Sequence, residues 1–190
     1  FSFLKDGPLD MRMNQKSHLT AEQVVNKYSE AELARILYLY GEEKFSRKIA
    51  KAIVELRSKQ SFKSTVVLAE SVKNALPKKH QYGRIHPATK TFQALRIEVN
   101  QELDELKKFL ATAINLLNVN GRIAIISFHS LEDRLVKKCF NSYENPCQCP
   151  KELPLCICGL QPVIKKLHRK MIQADKDEIR DNPRSRSAKL

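Results

Sequence analysis

Apolar residues recur every three or four positions through much of the chain up to residue 117, which is the spacing of helices that bury one face. Two segments open with the Ser/Thr-x-x-Glu/Gln capping box that marks a helix start. The predicted helices begin at Thr20 and at Ser29 and span residues 42–60 and 65–76. Gly41 and Pro77 are expected to end two of them, since glycine favours helix ends and proline cannot continue a helix.

The longest helix is predicted at residues 88–117. Its buried stripe consists of Phe92, Leu95, Val99, Leu103, Leu106, Leu110, Ala113 and Leu117. A second, polar stripe consists of Thr89, Gln93, Arg96 and Asn100. A solvated face normally favours Lys and Glu, so this row is interpreted as the lining of a ligand site or a domain contact. The alternative is a satisfied polar network without a ligand.

The pattern changes at residues 121–134, where a short, nearly continuous apolar run at 123–126 predicts a strand covered on both faces, as in a parallel sheet. Ser130 with Asp133 fits a capping box, which predicts a helix from 130 to 143. Polar side chains at the carboxyl end of such a strand lie where open α/β sheets bind ligands. Those of the predicted corner are Ser127, His129, Ser130, Glu132 and Asp133. The alternative is a corner that only caps the helix.

A parallel strand requires an earlier strand, and residues 1–87 contain no convincing one. The chain is therefore interpreted as the later part of a larger sheet. Residues 163–167 are predicted to form a strand and residues 175–180 a short helix. Near the start, Asp10 and Arg12 stand between apolar residues, which fits either an edge strand or a loop that directs a carboxylate and a guanidinium at a ligand.

Charge points to a polyanionic partner. The 190 residues include 34 Lys and Arg against 21 Asp and Glu, a net charge of +13, with the excess at residues 20–87 and 136–190. One predicted helix face carries Lys44, Arg47, Lys48, Lys51 and Arg57, which is either a solvated face or an RNA contact. No apolar run is long enough to span a membrane, and no signal peptide is recognised.

Five cysteines occur late in the chain. Four form two Cys-x-Cys pairs in a proline-rich stretch: Cys147, Cys149, Cys156 and Cys158. Four thiolates can hold one tetrahedral zinc ion, although the usual spacing leaves two or more residues between ligands. Metal binding and reduced structural thiols both remain open.

The chain resembles the family of small-subunit ribosomal RNA cytosine-N4 methyltransferases (the RsmH, or MraW, family), from bacteria or mitochondria. The matching segments are FSFLKDGPLDMRM at 1–13, YGEEKFSRKIAKAI at 40–53, HPATKTFQALRIEVNQEL at 86–103, GRIAIISFHSLEDRLVK at 121–137 and NPRSRSAKL at 182–190. They run through nearly the whole chain in the family's order. The Cys-x-Cys stretch resembles a variant present in only part of the family.

The resemblance implies a class I S-adenosylmethionine-dependent methyltransferase domain, an α/β Rossmann-like fold, with an inserted all-helical domain. Residues 1–19 and 86–190 are then parts of the methyltransferase domain, and 20–85 is the insertion. The glycine-rich loop that holds the cofactor in this family has no counterpart here, where only five residues are Gly. No cofactor-binding residue is therefore assigned, and the chain is expected to be a fragment that lacks the N-terminal cofactor-binding part and is inactive alone.

The expected function of the parent enzyme is methylation of a ribosomal RNA cytidine at N4 during ribosome biogenesis in the cytoplasm. The candidate catalytic residues are His129, Ser130 and Asp10, and the candidate substrate-binding residues are Arg12, Arg96, Asn100, Arg184 and Arg186. S-adenosylmethionine is the expected cofactor, and ribosomal RNA or the small subunit the expected partner. The alternative is a non-catalytic basic RNA-binding module, with or without a zinc site made by the four cysteines.

Overall fold

The computed structural model describes residues 5–83, 85–150, 157–168 and 170–190. The chain divides into two compact units, Phe1–Glu102 (the N-terminal unit) and Leu103–Leu190 (the C-terminal unit). The described α-helices are α1 Ala21–Lys27, α2 Glu30–Leu39, α3 Ser46–Arg57, α4 Thr65–Ala75, α5 Thr89–Asn100, α6 Glu102–Ala113, α7 Ser130–Glu144 and α8 Lys176–Asp181. Short 3₁₀ turns occupy Lys78–His80, Ile114–Leu116 and Pro183–Ser187.

The N-terminal unit is a set of helices around one hydrophobic core. Helix α2 packs on α3 and α5, α3 packs on α4, and α1 packs on α3 and α5. The largest fully buried side chains of this core are Leu9, Val24, Val25, Leu33, Ile36, Leu37, Ile49, Ile53, Leu68 and Leu95. Both predicted capping boxes are confirmed, with Thr20 bonded to Gln23 and Ser29 to Glu32. The helix predicted at 65–76 is also confirmed, with Ser64 as its N-cap.

The helix predicted at 42–60 is shorter in the structure. Helix α3 begins at Ser46 and ends at Arg57, and its buried apolar residues are Ile49, Ala50 and Ile53. Gly41 does follow α2, for a packing reason. A Cβ atom there would lie 2.7 Å from the carbonyl oxygen of Lys90, so the end of α2 approaches α5 more closely than a side chain allows.

The prediction of one helix over residues 88–117 is wrong. The helix breaks at Gln101, whose φ of 51° is left-handed, and resumes as α6. An ion pair spans the break: Arg96, before Gln101, pairs with Glu102, after it. Residues six apart lie on different sides of a continuous helix, so this contact depends on the interruption.

The strands predicted at 123–126 and 163–167 are also absent from the described residues. Residues 121–126 have no ladder partner, and in the described part of the chain β-pairing is limited to isolated bridges. Ile126 is 60% exposed. A strand forms only beside a neighbour that accepts its backbone hydrogen bonds. Without that neighbour, apolar sequence alone produces no strand.

The longest described helix of the C-terminal unit is α7, which begins four residues after Ile126. The predicted short helix near the end is confirmed as α8, capped by Asp175. None of the described helices is both long and apolar enough to cross a membrane. Residues 5–19 belong to the N-terminal unit, where Leu9 and Met11 are core residues. The division into 1–19, 20–85 and 86–190 remains a prediction about the parent domain.

Candidate functional site

In the N-terminal unit, four of the candidate residues come together although they lie almost ninety residues apart in sequence. The Asn100 amide donates to the Met11 carbonyl oxygen at 2.8 Å and accepts from the Met13 N–H at 2.7 Å. It also donates to the Arg96 carbonyl oxygen in its own helix. Asn100 thereby joins the loop that contains Asp10 and Arg12 to the end of α5.

Asp10 and Arg12 form a two-pronged ion pair on this loop. The Arg12 Nε and Nη2 atoms donate to the two Asp10 carboxylate oxygens at 2.7 and 2.8 Å. Arg12 Nη1 donates to the carbonyl oxygens of Gln15 and Ser17. The hydrogen bonds from Arg12 lower the pKa of Asp10, so its carboxylate is a weak base. Residues 10–12 therefore form a loop and not an edge strand, and their two charged groups bond to each other and to the loop backbone.

Backbone strain accompanies this arrangement. Met11 has a φ of 60°, which is uncommon for a residue with a side chain, yet that side chain is buried in the core. Strained residues of this type concentrate at functional sites, and they persist only where the surroundings hold them. Here the surroundings are the Asn100 contact and the core around Met11.

The polar stripe on α5 is used mainly for internal contacts. Gln93 donates to the Tyr40 carbonyl oxygen at the end of α2, and the Arg96 guanidinium donates to both carboxylate oxygens of Glu102 at 2.8 and 2.9 Å. Sequence reasoning did not single out Glu102. Its importance depends on the break at Gln101, for which the sequence provides no signal.

In the C-terminal unit, the polar corner is built differently from the prediction. His129, and not Ser130, caps α7: its Nδ1 accepts from the Glu132 N–H, and a Glu132 carboxylate oxygen accepts from the N–H groups of Phe128 and His129. Ser130 is the first residue of the helix. The predicted pairing with Asp133 is wrong because extended backbone at His129, rather than at Ser130, marks the cap.

The His129 ring is buried beside Glu132. Its side chain is only 8% exposed, and Nε2 lies 3.4 Å from a Glu132 carboxylate oxygen. With Nδ1 accepting a hydrogen bond, the ring proton of neutral His129 is on Nε2. Nε2 makes no hydrogen bond to that carboxylate, so Glu132 fixes the ring through its backbone N–H and Nδ1.

The chain end is attached to this corner. Ser127 and Lys189 exchange backbone hydrogen bonds at 2.9 and 2.8 Å, and Ser127 is buried. The 3₁₀ turn Pro183–Ser187, which ends two residues before Lys189, buries Ser185 and leaves Arg184 and Arg186 exposed. Two candidate arginines thus precede a segment that is bonded to the residues just before His129.

A basic groove lies on the N-terminal unit. Its volume is about 1100 Å³, and its walls are residues of α2 and residues 44–48. The lining includes four cationic side chains and one acidic side chain: Arg35, Lys44, Arg47, Lys48 and Glu30. Tyr38, also in the wall, is 64% exposed. Exposed aromatic rings among cations are typical of surfaces that bind single-stranded nucleic acid.

The cysteines include a close group. The sulfur atoms of Cys147, Cys149 and Cys158 all lie within 4.8 Å of one another. The fourth member of the two predicted pairs, Cys156, lies outside the described residues.

Comparison with known proteins identifies the family of the chain. The model of the MraW methylase family matches residues 1–190. The chain is 53% identical to ribosomal RNA small subunit methyltransferase H of Clostridium botulinum (strain Kyoto / Type A2), over all of this chain and 61% of that relative. Identity is 51% over 61% of the corresponding protein of Carboxydothermus hydrogenoformans and 50% over 60% of that of Treponema denticola. The chain thus spans about three fifths of the length of these relatives, and it belongs to the MraW methylase family.

Proposed function

We propose that the protein containing this chain transfers a methyl group from S-adenosylmethionine to N4 of a cytidine in small-subunit ribosomal RNA. The observation that carries this proposal is the match over all 190 residues to relatives named ribosomal RNA small subunit methyltransferase H, at 50–53% identity. The cytidine N4 target rests on the resemblance of the motifs. A ribosomal RNA substrate in turn implies a cytoplasmic location.

The cofactor is bound mainly by residues of the parent protein outside this chain. Class I methyltransferases bind S-adenosylmethionine at a glycine-rich turn after a parallel strand, and the described residues contain neither feature. When bound, the cofactor supplies an electrophilic methyl group. The apolar segment at 123–126 belongs, in this proposal, to the parallel sheet of the complete class I fold.

The role assigned to this chain is to position the target cytosine for methyl transfer. A cytosine amine shares its lone pair with the ring and is a poor nucleophile, so the base must leave its stack and be held by hydrogen bonds. Alignment within about 3–3.5 Å of the donor supplies much of the rate. We assign amine contact to Ser130 at the start of α7. His129 positions this turn through Glu132.

The Asp10–Arg12 pair has a different assigned role. The lowered pKa of Asp10 makes proton abstraction by this carboxylate unfavourable, so the pair serves to shape the loop and to contact substrate. Asn100 and Arg96 support the loop and the end of α5. Arg184 and Arg186, exposed near the Ser127–Lys189 pairing, are assigned to RNA phosphates.

The basic groove is assigned to a single-stranded segment of the RNA. Its test is the pair of changes Arg47→Gln and Lys48→Gln in one protein, compared with Lys59→Gln and Lys63→Gln, which remove the same charge from exposed positions outside the groove lining. Loss of two phosphate contacts should lower the salt slope of binding by about 1.4. Equal effects of the two pairs would show that the groove has no special role.

The activity itself is tested with the protein at the full length of its relatives. It is incubated with unmethylated small subunits and labelled S-adenosylmethionine, and the RNA is digested to nucleosides for mass spectrometry. We expect N4-methylcytidine at one position. Label in another nucleoside would overturn the cytidine assignment, and no label despite tight RNA binding would favour the alternative function.

That alternative is a non-catalytic RNA-binding module. The observation favouring it for the N-terminal unit is that a closed hydrophobic core and a basic groove occur together in residues 1–102. A zinc ion held by all four cysteines of the two Cys-x-Cys pairs would be structural in either case, because four protein ligands leave no open position for a substrate.

A further inference from the structure

The three described cysteines of the Cys-x-Cys stretch are arranged as metal ligands. Cys147 and Cys149 follow the end of α7, and Cys158 lies nine residues beyond Cys149, yet all three sulfur atoms are within 4.8 Å of one another. Four sulfurs at about 2.3 Å from a tetrahedral zinc ion are separated by about 3.8 Å. The observed group therefore needs only a small contraction to surround an ion.

The chain around this group has few other sources of stability. The stretch from 145 to 162 has no regular secondary structure among its described residues, and Ile157 is 79% exposed. Its base is closed by contacts with the end of α7: the Val163 N–H donates to the Tyr143 carbonyl oxygen, and Lys166 forms an ion pair with Glu144 at 2.9 Å. A metal bound by Cys147, Cys149 and Cys158 would stabilise this stretch beyond the contacts at its base.

The ligand chemistry selects the ion. The group consists of sulfur ligands without a carboxylate, and soft thiolates in a tetrahedral arrangement favour zinc over magnesium, calcium or manganese. The remaining described cysteine differs. Cys139 lies within α7, and burial raises the pKa of its thiol, which disfavours the thiolate form that binds metal.

We propose that Cys147, Cys149 and Cys158 bind a structural zinc ion that folds the segment following α7. The proposal rests on these three residues. It is independent of methyl transfer, because it concerns only the stability of this segment and assigns the ion no contact with the cytidine. Zinc stabilises this segment of the C-terminal unit and leaves the N-terminal unit unchanged.

The test measures metal in the purified full-length protein, prepared under reducing conditions and analysed for zinc and iron by mass spectrometry. We expect about one zinc per chain. The variants Cys149→Ser and Cys158→Ser should each lose most of it, whereas Cys139→Ser, the matched control, should keep it. Cobalt in place of zinc should produce the intense visible bands of a tetrahedral thiolate site.

A second measurement separates loss of metal from loss of fold. Circular dichroism and thermal unfolding of the N-terminal unit should be unchanged in Cys149→Ser, while protease cleavage within 145–162 should become faster. Absence of zinc from the wild-type protein would overturn the proposal. Three other results would also overturn it. These are iron together with inorganic sulfide in the purified protein, disulfide bonds among these cysteines in protein purified without reductant, and equal zinc loss in Cys139→Ser.

Discussion

The two units differ most in the burial of their large apolar side chains. In the N-terminal unit, helices α1 to α5 enclose a continuous core that includes fully buried Leu33, Ile36 and Leu37. In the described part of the C-terminal unit, large apolar side chains are exposed in many places, among them Phe109, Leu116, Val119, Ile126, Phe128, Val163 and Leu167. The N-terminal unit thus forms a continuous core, whereas among the described residues of the C-terminal unit the buried hydrophobic side chains are limited to Leu110 and Ile114.

This difference reflects the range of the interactions that form each element: a helix depends on residues close in sequence, whereas a strand depends on residues far away in sequence. A helix satisfies its backbone within itself, so the capping boxes and apolar stripes of residues 20–76 are enough to specify it. A parallel strand depends on neighbours from other segments, and the relatives are longer than this chain by about two fifths of their length. We infer that the exposed apolar residues of the C-terminal unit meet those segments in the parent protein.

The largest expected effect follows from that inference. Amide hydrogen exchange at residues 122–126 should be fast in the 190-residue chain and slower by at least about 10³-fold in a protein of the relatives' length, because a paired strand exchanges only on unfolding. Amides of α2 should exchange at the same rate in both proteins. Equal protection of 122–126 in the two proteins would contradict the missing-neighbour explanation.

A matched pair of leucine-to-alanine substitutions tests the difference in core packing between the two units. Leu37→Ala removes a fully buried side chain and should lower the free energy of unfolding by about 2–5 kcal/mol. Leu116→Ala removes one that is 77% exposed, so its effect should stay within about 0.5 kcal/mol. Denaturant unfolding of the 190-residue chain measures both. A large loss from Leu116→Ala would mean that the C-terminal unit has a core of its own.

Asn100→Ala should cost about 1–3 kcal/mol, since it leaves the Met11 carbonyl oxygen and the Met13 N–H without their side-chain partner. The control is Asn115→Ala, whose exposed side chain donates only to the carbonyl oxygen of Ala111 in the preceding turn. If the two variants unfold alike, Asn100 does not hold the loop at residues 10–13. Faster protease cleavage of that loop in Asn100→Ala alone would confirm that it does.

Two substitutions in the full-length enzyme distinguish a structural role of His129 from a catalytic one. His129→Ala removes the α7 cap and should cost about 1 kcal/mol, whereas His129→Asn keeps a capping acceptor and should cost little. If the ring only positions α7, methylation should recover in His129→Asn. A loss of roughly 10²–10⁴-fold in both variants, with a normal melting curve for His129→Asn, would instead identify His129 as a proton acceptor.

The smallest expected effect is a pH dependence in the N-terminal unit. Burial, followed by the hydrogen bond to Glu98, raises the pKa of Tyr28 from 10.0 to about 12. The folded state therefore holds the phenol proton more tightly than the unfolded state does. The resulting stabilisation is complete below pH 10 and is lost as pH rises toward 12.

Tyr28→Phe removes that titration along with the hydrogen bond. Unfolding free energies measured on both sides of pH 10 should show a smaller alkaline loss in Tyr28→Phe than in the wild type, together with a decrease of about 1 kcal/mol at neutral pH. Parallel pH profiles of the two proteins would rule out Tyr28 as a source of the alkaline loss.

Sequence alone determined the local parts of this protein. The capped helices starting at Thr20 and Ser29, the helix at 65–76 and the short helix after Asp175 depend on neighbours within four residues, so local pattern suffices. The family was also readable from sequence, because long motifs keep their order along the whole chain.

Only the tertiary structure decided which residues meet and where regular elements fail. Asn100 contacts Met11 from 89 residues away, and the turn at Gln101 that brings Glu102 to Arg96 interrupts an otherwise perfect apolar stripe. The same limit applies to residues 123–126, whose composition favours a strand that nothing in the described chain completes. Local pattern records the preference of each segment, whereas long-range contacts and strand neighbours determine whether that preference is realised.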